Sequence, residues 1–209
     1  MYTCATCAAI SCDDPERKNM PKNCPMRETE TNRDILKEYE KPENHDFFLT
    51  SAAIEALGYC EWPRLREIAE FSKRMGYKKL GMAFCRGLQR EARTIQSILE
   101  QHGLEVLSVI CKTGAVSKEM VGVPEEHKLS PGEFEAMCNP IAQATFLNTQ
   151  KTDLNIVVGL CVGHDSLFYK YSDALVTTLI AKDRVLAHNP AGAVYCSAGY
   201  ARRRLAPSE

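Results

Sequence analysis

The sequence has no run of apolar residues that approaches the ~20 needed to cross a bilayer. Its first residues, MYTCATCAAISCDDPERKN, also lack the basic and then apolar regions of a secretory signal. Both absences predict a protein of the cytoplasm that has no membrane partner.

An excess of charge of one sign is missing as well. The chain has 26 Lys and Arg against 27 Asp and Glu, for a net charge of −1, and the two signs are interspersed. Without a basic face or a polybasic run, the sequence does not indicate nucleic acid as a partner. We therefore expect a small-molecule substrate or a redox partner protein, and assembly into a homo-oligomer stays open.

The common nucleotide-binding and hydrolase motifs are absent. Where a G-x-x-x-x-G-K-[ST] loop or a G-x-G-x-x-G turn would follow the first predicted strand, the sequence reads FCRGLQREA. No nucleophile elbow of the G-x-S-x-G type is present either. These gaps argue against ATP binding, dinucleotide binding and serine hydrolysis.

The hydrophobic pattern predicts an α/β fold. Three amphipathic helices, in TNRDILKEYE, HDFFLTSAAIEALGYC and PRLREIAEFSKRMGY, precede an alternation of apolar strands and helices. The predicted strands are KKLGMAF, LEVLSVI, LNIVVGL and ALVTTLIAKDRV. This order predicts an open, mostly parallel sheet between helical layers, of the Rossmann or flavodoxin-like type. We divide the chain into a cysteine-rich knuckle (residues 1–28), a helical segment (29–76) and an α/β domain (77–209).

What the sequence has in quantity is cysteine, with ten residues in the chain. Disulfides are rare in a reducing compartment, so this number indicates metal ligands or catalytic thiols. The first group is Cys4, Cys7, Cys12 and Cys24. It lies in a polar stretch that cannot build a core, opens with C-x2-C and closes with Cys-Pro. Four soft thiolates there suit a [4Fe-4S] cluster, with zinc as the alternative.

The second group follows the predicted strands. Cys85, Cys111 and Cys161 each come directly after a strand, and Cys138 comes before a helix that Pro140 begins. The carboxyl ends of parallel strands share one edge of the sheet, where ligands bind in open α/β folds. We therefore expect a shared site there, either a [4Fe-4S] cluster or a set of reactive thiols, so that the chain would hold one or two [4Fe-4S] clusters. Filling of space by small, soft side chains is the alternative.

Polar residues near these cysteines complete the predicted site. His164 follows Cys161 and can act as an acid or base, or donate a hydrogen bond to sulfur, so we predict Cys161, Cys138 and His164 as the catalytic residues. Other candidates have simpler roles as alternatives, in helix capping, turns or solvation: Arg86, Asn139, Asp165, Lys182, Arg184, His188 and Asn189. The remaining histidines, His45, His102 and His127, are expected at the surface.

Several motifs together resemble a known family. They are YTCATC, NCPMRE, FEAMCNPIAQA, GLCVGHDSLFYKYS and VTTLIAKDRVLAHNPAGAVY. They resemble predicted metal-binding proteins that are catalogued as a cysteine-rich domain of unknown function in anaerobic bacteria and archaea. The resemblance covers nearly the whole chain and implies metal binding through the eight cysteines of the two groups, in an anaerobic organism. It implies no particular reaction, and Cys60 and Cys196 lie outside its motifs.

Three functional hypotheses follow from these observations. The first is an iron-sulfur protein with a thiolate or cluster site at the sheet edge, working as a reductase or as a sulfur- or metal-handling enzyme. The second is a binding or scaffold module that zinc stabilises, without catalysis. The third is a regulator that senses redox state through reversible thiol oxidation.

Overall fold

The computed structural model describes residues 1–207. The chain divides into two compact units, one of residues 1–56 and one that begins at Leu57. Three short 3-10 turns come first in the chain: Cys4–Thr6, Ser11–Asp13 and Pro25–Arg27. They are followed by helices α1 (Thr29–Tyr39), α2 (Pro42–Gly58) and α3 (Arg64–Arg74). The three helices predicted before the first strand are therefore present.

The second unit contains the sheet. Its strands are β1 (Lys79–Phe84), β2 (Glu105–Ile110), β3 (Leu154–Val158) and β4 (Val176–Ile180). They alternate with helices α4 (Gln89–Gln101), α5 (Pro140–Thr149) and α6 (His164–Tyr171). Helices α7 (Pro190–Tyr195) and α8 (Arg202–Leu205) follow, and further 3-10 turns occupy Arg86–Leu88, Glu119–Val121 and Glu125–His127. The predicted α/β fold is confirmed.

All strand pairs in the sheet are parallel, in the order β2-β1-β3-β4. The chain moves outward from β1 to β2 and then returns to the other side of β1 to form β3. The carboxyl ends of β1 and β3 therefore flank the point where the strand order reverses, which is where open α/β sheets bind ligands.

Helices cover both faces of the sheet, which gives three layers. On one face, residues of α3 and α4 pack against Leu80, Met82 and Ile156. On the other face, Ala144 and Leu147 of α5 and Phe168 of α6 pack against a second buried cluster. Because both faces are covered, β1 and β3 are apolar along nearly their whole length rather than alternating.

The fourth strand is shorter than predicted. The sequence favoured a strand through 174–185, and the structure has Val176–Ile180. The Asp183 carboxylate accepts hydrogen bonds from the backbone N–H groups of Val185 and Leu186, both at 2.9 Å. These local bonds form a turn that competes with the strand ladder, so the chain leaves the sheet before Lys182.

Candidate functional site

The four cysteines of the second group line one small pocket at the carboxyl edge of the sheet. We call it the inner pocket; its lining is Cys85, Cys111, Cys138, Gln143, Leu160, Cys161 and His164. The predicted grouping of these thiols is therefore what the fold produces. All ten cysteines of the chain are free thiols.

Backbone hydrogen bonds continue the strand ladder into the cysteines and fix their places. The Cys85 N–H donates to Val158 O at 3.1 Å, and the Cys111 N–H donates to Phe84 O at 2.9 Å. The Asn139 N–H donates to Cys111 O at 2.7 Å, which holds Cys138 beside the end of β2. Cys85, Cys111 and Cys138 are thus attached to the end of the sheet rather than to a free loop.

Helix starts hold the other side of the pocket. Asn139 caps α5 by accepting a hydrogen bond from the Ala142 N–H at 3.1 Å, and Pro140 occupies the first turn. The Cys161 carbonyl accepts from the N–H groups of His164 and Asp165, at 2.9 and 3.1 Å. The cysteines therefore lie at junctions where a strand ends or a helix begins.

Gly159 makes the path to Cys161 possible. It has a φ of +64°, and a Cβ atom there would overlap the Cδ1 atom of Leu88. Only glycine combines this left-handed backbone with no side chain. The close approach of Leu88 therefore fixes the course of the chain two residues before Cys161.

Three of the thiols form a hydrogen-bonded row, with Cys111 in contact with both Cys85 and Cys138. The hydrogen bond with Cys111, helped by the Gly87 N–H and the Lys182 ammonium, lowers the pKa of Cys85 to about 5. The hydrogen bonds with Cys111 and His164 lower the pKa of Cys138 to about 4. The pKa of the central Cys111 is raised because it lies between two sulfurs that carry the charge.

Hydrogen-bond donors lie beside the sulfurs of the inner pocket. The Arg184 guanidinium donates to Cys161 Sγ at 3.0 Å, and that contact raises the pKa of Arg184. The Arg86 backbone N–H donates to Cys111 Sγ at 3.3 Å. The hydrogen bond with Cys138 raises the pKa of His164. The pocket therefore stabilises negative charge on sulfur.

Two buried polar atoms in the pocket have no partner among the described residues. Gln143 is fully buried; its Nε2 donates to Phe84 O and Val109 O, while its Oε1 is unpaired. The Nδ1 of His164 is also buried and unpaired. Unpaired buried polar atoms are costly, and a bound ligand is one way of satisfying them. The sequence analysis did not name Gln143 as a site residue, although a glutamine between apolar neighbours in FEAMCNPIAQA indicates a buried polar group.

The four cysteines of the first group lie on the short turns of the first unit. Cys4 begins the turn Cys4–Thr6, Cys12 lies within Ser11–Asp13, and Cys24 precedes Pro25–Arg27. The Asn23 side chain donates to Met1 O at 3.0 Å and to Thr3 Oγ1 at 2.8 Å, so the chain near Cys24 returns to the chain near Cys4. Cys4 and Cys12 are exposed, and Cys7 and Cys24 are half-buried.

Within residues 1–207, no group of three or more His, Cys, Asp or Glu side chains stands in ready-made metal-binding geometry. A metal in either group would therefore have to draw the thiols together. No helix in the same range is both long enough and apolar enough to span a membrane.

The remaining predicted residues have local roles or lie near the pocket. The His188 Nδ1 accepts from the Asp183 N–H at 3.1 Å, which closes the turn after β4. Asp165 accepts from the Ser166 N–H at 2.8 Å. Asn189 precedes α7 without a side-chain cap. Lys182 and Arg184 line a larger cavity that adjoins the four cysteines.

Comparison with known proteins places the chain in a family. Residues 24–179 match the family described as "Protein of unknown function (DUF1847)". A protein of Methanocaldococcus jannaschii, "Uncharacterized protein MJ0455", is 54% identical over 161 residues, which are 77% of this chain and 81% of that protein. No solved structure matches the chain. The chain belongs to the DUF1847 family of proteins of unknown function.

Proposed function

We propose that the protein is a metal-binding protein whose sheet-edge cysteines hold an iron-sulfur centre that serves redox or sulfur- and metal-handling chemistry. The observation that carries the proposal is that Cys85, Cys111, Cys138 and Cys161 line one small pocket at the carboxyl edge of the sheet. They come from three strand ends and one helix start, so their meeting is a product of the fold. Thiolates are the ligands that iron-sulfur centres prefer.

The donor chemistry of the inner pocket fits such a group. Two of the thiols have lowered pKa values and are thiolates at neutral pH. The proton that Cys111 shares with its neighbours occupies the space between sulfurs, where a soft cation would replace it. Donors to sulfur from Arg184 and from the Arg86 backbone are of the kind that tune the potential of a cluster.

When bound, an iron-sulfur centre supplies one-electron transfer, or a Lewis-acidic iron where one ligand position is open. The chain's own residues have separate tasks. The hydrogen bond with Cys138 raises the pKa of His164, and the Arg184 guanidinium donates to Cys161 Sγ. Cys138, Cys161 and His164 are therefore the side chains we assign to the reaction, with Cys85 and Cys111 as further ligands. An iron-sulfur-dependent reductase or sulfur-transfer enzyme is the activity that this arrangement suits.

A zinc-stabilised module without catalysis is the second candidate. The observation that favours it is the hydrogen-bond contact of Cys111 with both Cys85 and Cys138. Sulfurs in contact enclose a single small ion more readily than a cluster, and structural zinc is held by four thiolates in this way. Zinc is also an alternative for Cys4, Cys7, Cys12 and Cys24, which we propose as ligands of a second centre.

Ten free thiols suit a reducing compartment, which supports a cytoplasmic location. We also propose that the protein works in an anaerobic setting, which suits an iron-sulfur centre. For partners, we propose a small-molecule substrate or a redox partner protein.

The decisive experiment is the measurement of iron, zinc and acid-labile sulfide per chain after purification without oxygen, with the visible spectrum of the same sample. Two [4Fe-4S] centres require about eight irons and eight sulfides per chain and a brown colour. One or two zinc ions without sulfide would replace the redox proposal by the zinc module. A chain with neither metal nor sulfide, even after anaerobic reconstitution with iron and sulfide, would contradict both.

A further inference from the structure

A second, larger cavity adjoins the inner pocket. This outer cavity has a volume of about 590 Å³ and includes all four sheet-edge cysteines in its wall. Small-molecule sites commonly measure about 300–1,000 Å³. The outer cavity is therefore large enough for a small organic molecule beside the thiols.

One wall of the outer cavity is apolar. It is formed by Val121, Val123, Leu129, Met137, Ile141 and Leu167. Val121 and Leu129 are 55% and 89% exposed, although both are aliphatic. An aliphatic ligand in the cavity would cover part of this surface, at a gain of about 25 cal/mol per Å² of apolar area removed from water.

The segment between β2 and α5 builds much of that wall and is internally braced. Ser117 and Ala136 form an antiparallel bridge, and the Met137 N–H donates to Val116 O at 2.8 Å. The Lys128 ammonium is buried and paired with Glu119 and Glu125. The wall is thus a formed structure, not a loose loop.

Basic residues make up another part of the lining, which we call the basic side. The five basic residues in the lining are Arg86, Lys112, Lys118, Lys182 and Arg184. Glu135 is the single carboxylate in the same lining.

The Glu135 carboxylate already has partners within the protein. It pairs with Lys118 at 2.6 Å and accepts the N–H groups of Leu129 and Ser130. Among residues 1–207, Arg86, Lys112, Lys182 and Arg184 have no ion pair with a carboxylate. Lys118 thus neutralises the one carboxylate of the lining and four cations remain, so the cavity favours an anion.

We propose that the outer cavity binds a small organic carboxylate with an aliphatic body, its carboxylate toward the basic side and its chain along the apolar wall. Binding depends only on the cavity; that the molecule is a substrate of the thiolate site rests on the proposed function. The mixed lining distinguishes this ligand from inorganic anions, which would leave the apolar wall uncovered, and from amines, which the four cations repel.

The test is calorimetric titration of the full chain, purified without oxygen, with hexanoate, acetate, phosphate and hexylamine as probes. We expect hexanoate to bind at least tenfold more tightly than acetate or phosphate, and hexylamine not to bind. Equal affinities for hexanoate and acetate would overturn the role of the apolar wall. Binding of hexylamine as tight as that of hexanoate would overturn the role of charge.

Two variants at one position separate charge from loss of apolar surface. Leu129 is exposed, so neither Leu129→Glu nor Leu129→Lys should disturb folding. We expect Leu129→Glu to weaken hexanoate binding about tenfold more than Leu129→Lys does. Arg90→Gln, an exposed change on α4 outside the cavity lining, is the control and should leave binding unchanged. Equal losses in the two Leu129 variants would contradict an anionic ligand.

Metal and sulfide content, measured on the same samples, separates the two proposals. Hexanoate binding by a chain that holds no metal, even after anaerobic reconstitution with iron and sulfide, would support the cavity and contradict the proposed function. A metal-loaded chain that binds no hexanoate would contradict this inference alone.

Discussion

The two cysteine groups of this chain differ in what holds them in place. Cys4, Cys7, Cys12 and Cys24 lie on short turns in which Ser11 is the one buried residue of the stretch 1–28. The sheet-edge cysteines continue a parallel ladder whose strands are buried on both faces. A hydrophobic core thus positions the second group, whereas local hydrogen bonds alone position the first.

The two groups therefore differ in the conformational entropy that they lose when a ligand binds. A site that a core positions loses little conformational entropy when a ligand binds, because folding has already ordered its residues. A site on turns must order its backbone with the ligand's help, as small metal-binding modules do. We therefore expect metal to be a structural requirement for the first group, whereas in the second group it needs only to draw side chains together on a backbone that folding has already ordered.

The largest expected effect is loss of one whole centre. Cys161→Ser should remove the metal of the sheet edge and keep that of the first group, and Cys12→Ser should do the reverse. Cys196→Ser, an exposed cysteine outside both groups, is the control. Metal and sulfide analysis of the three variants tests this. Loss of all metal in Cys161→Ser would contradict two separate centres, since it would mean that both cysteine groups form one shared site.

A substitution beneath the sheet edge should have the next largest effect. Gly159→Ala adds a Cβ that overlaps Leu88 at a positive φ, which combines left-handed strain of about 1–2 kcal/mol with overpacking of about 1–3 kcal/mol. Gly103→Ala shares the positive φ but meets no neighbour, so it isolates the strain. Urea unfolding should show Gly159→Ala to be less stable than Gly103→Ala by about 2 kcal/mol. Equal stabilities would mean that the strand end is not rigid.

The acidity of the row of thiols should appear in alkylation of the metal-free protein. The pKa of Cys85 is lowered to about 5 and that of Cys138 to about 4, chiefly by the hydrogen bond with Cys111. The thiolate is the reactive form, and its fraction falls as the pH drops through the pKa. The alkylation rates of Cys85 and Cys138, followed by peptide mass spectrometry, should therefore stay flat from pH 8 to pH 6. A tenfold fall per pH unit across that range would show ordinary thiols.

The smallest effect concerns the helix start beside Cys138. Asn139→Ala removes the cap of α5 and should lower the free energy of unfolding by about 1 kcal/mol. Asn189→Ala is the matched control, because Asn189 precedes α7 without making a side-chain cap. Thermal or urea unfolding of the pair measures the difference. If both variants lose the same stability, the capping bond does not help to hold the edge.

The parts of the fold that the sequence predicts are those with strong periodicity. KLGMAF and LNIVV are nearly continuous apolar runs bounded by polar residues, so their ends, and with them Cys85 and Cys161, could be placed at one edge. The end of β4 could not, because the turn that stops it depends on the Asp183 side chain, which forms its bonds only in three dimensions.

The outer cavity could not be predicted either. Its apolar wall comes from a connection between β2 and α5 that has no periodic pattern, and its braces pair residues such as Lys128 and Glu119 that no sequence rule joins. Only the length of that connection pointed to a functional role, since loops beyond about 15 residues without regular structure are commonly functional. Gln143 was missed because helical periodicity places it in the core without saying which of its atoms stays unpaired.

The order of the sheet-edge cysteines along the chain has a consequence during synthesis. Cys85, Cys111, Cys138 and Cys161 are separated by whole strand-helix units, and Arg184 follows only after β4. A ribosome has therefore made three of the four strands before the last thiol emerges, and all four before its cationic partner does. Cys4 to Cys24, by contrast, are translated close together. On the proposed function, a metal centre at the first group could form on a nascent chain, whereas one at the sheet edge could form only after the strands have assembled.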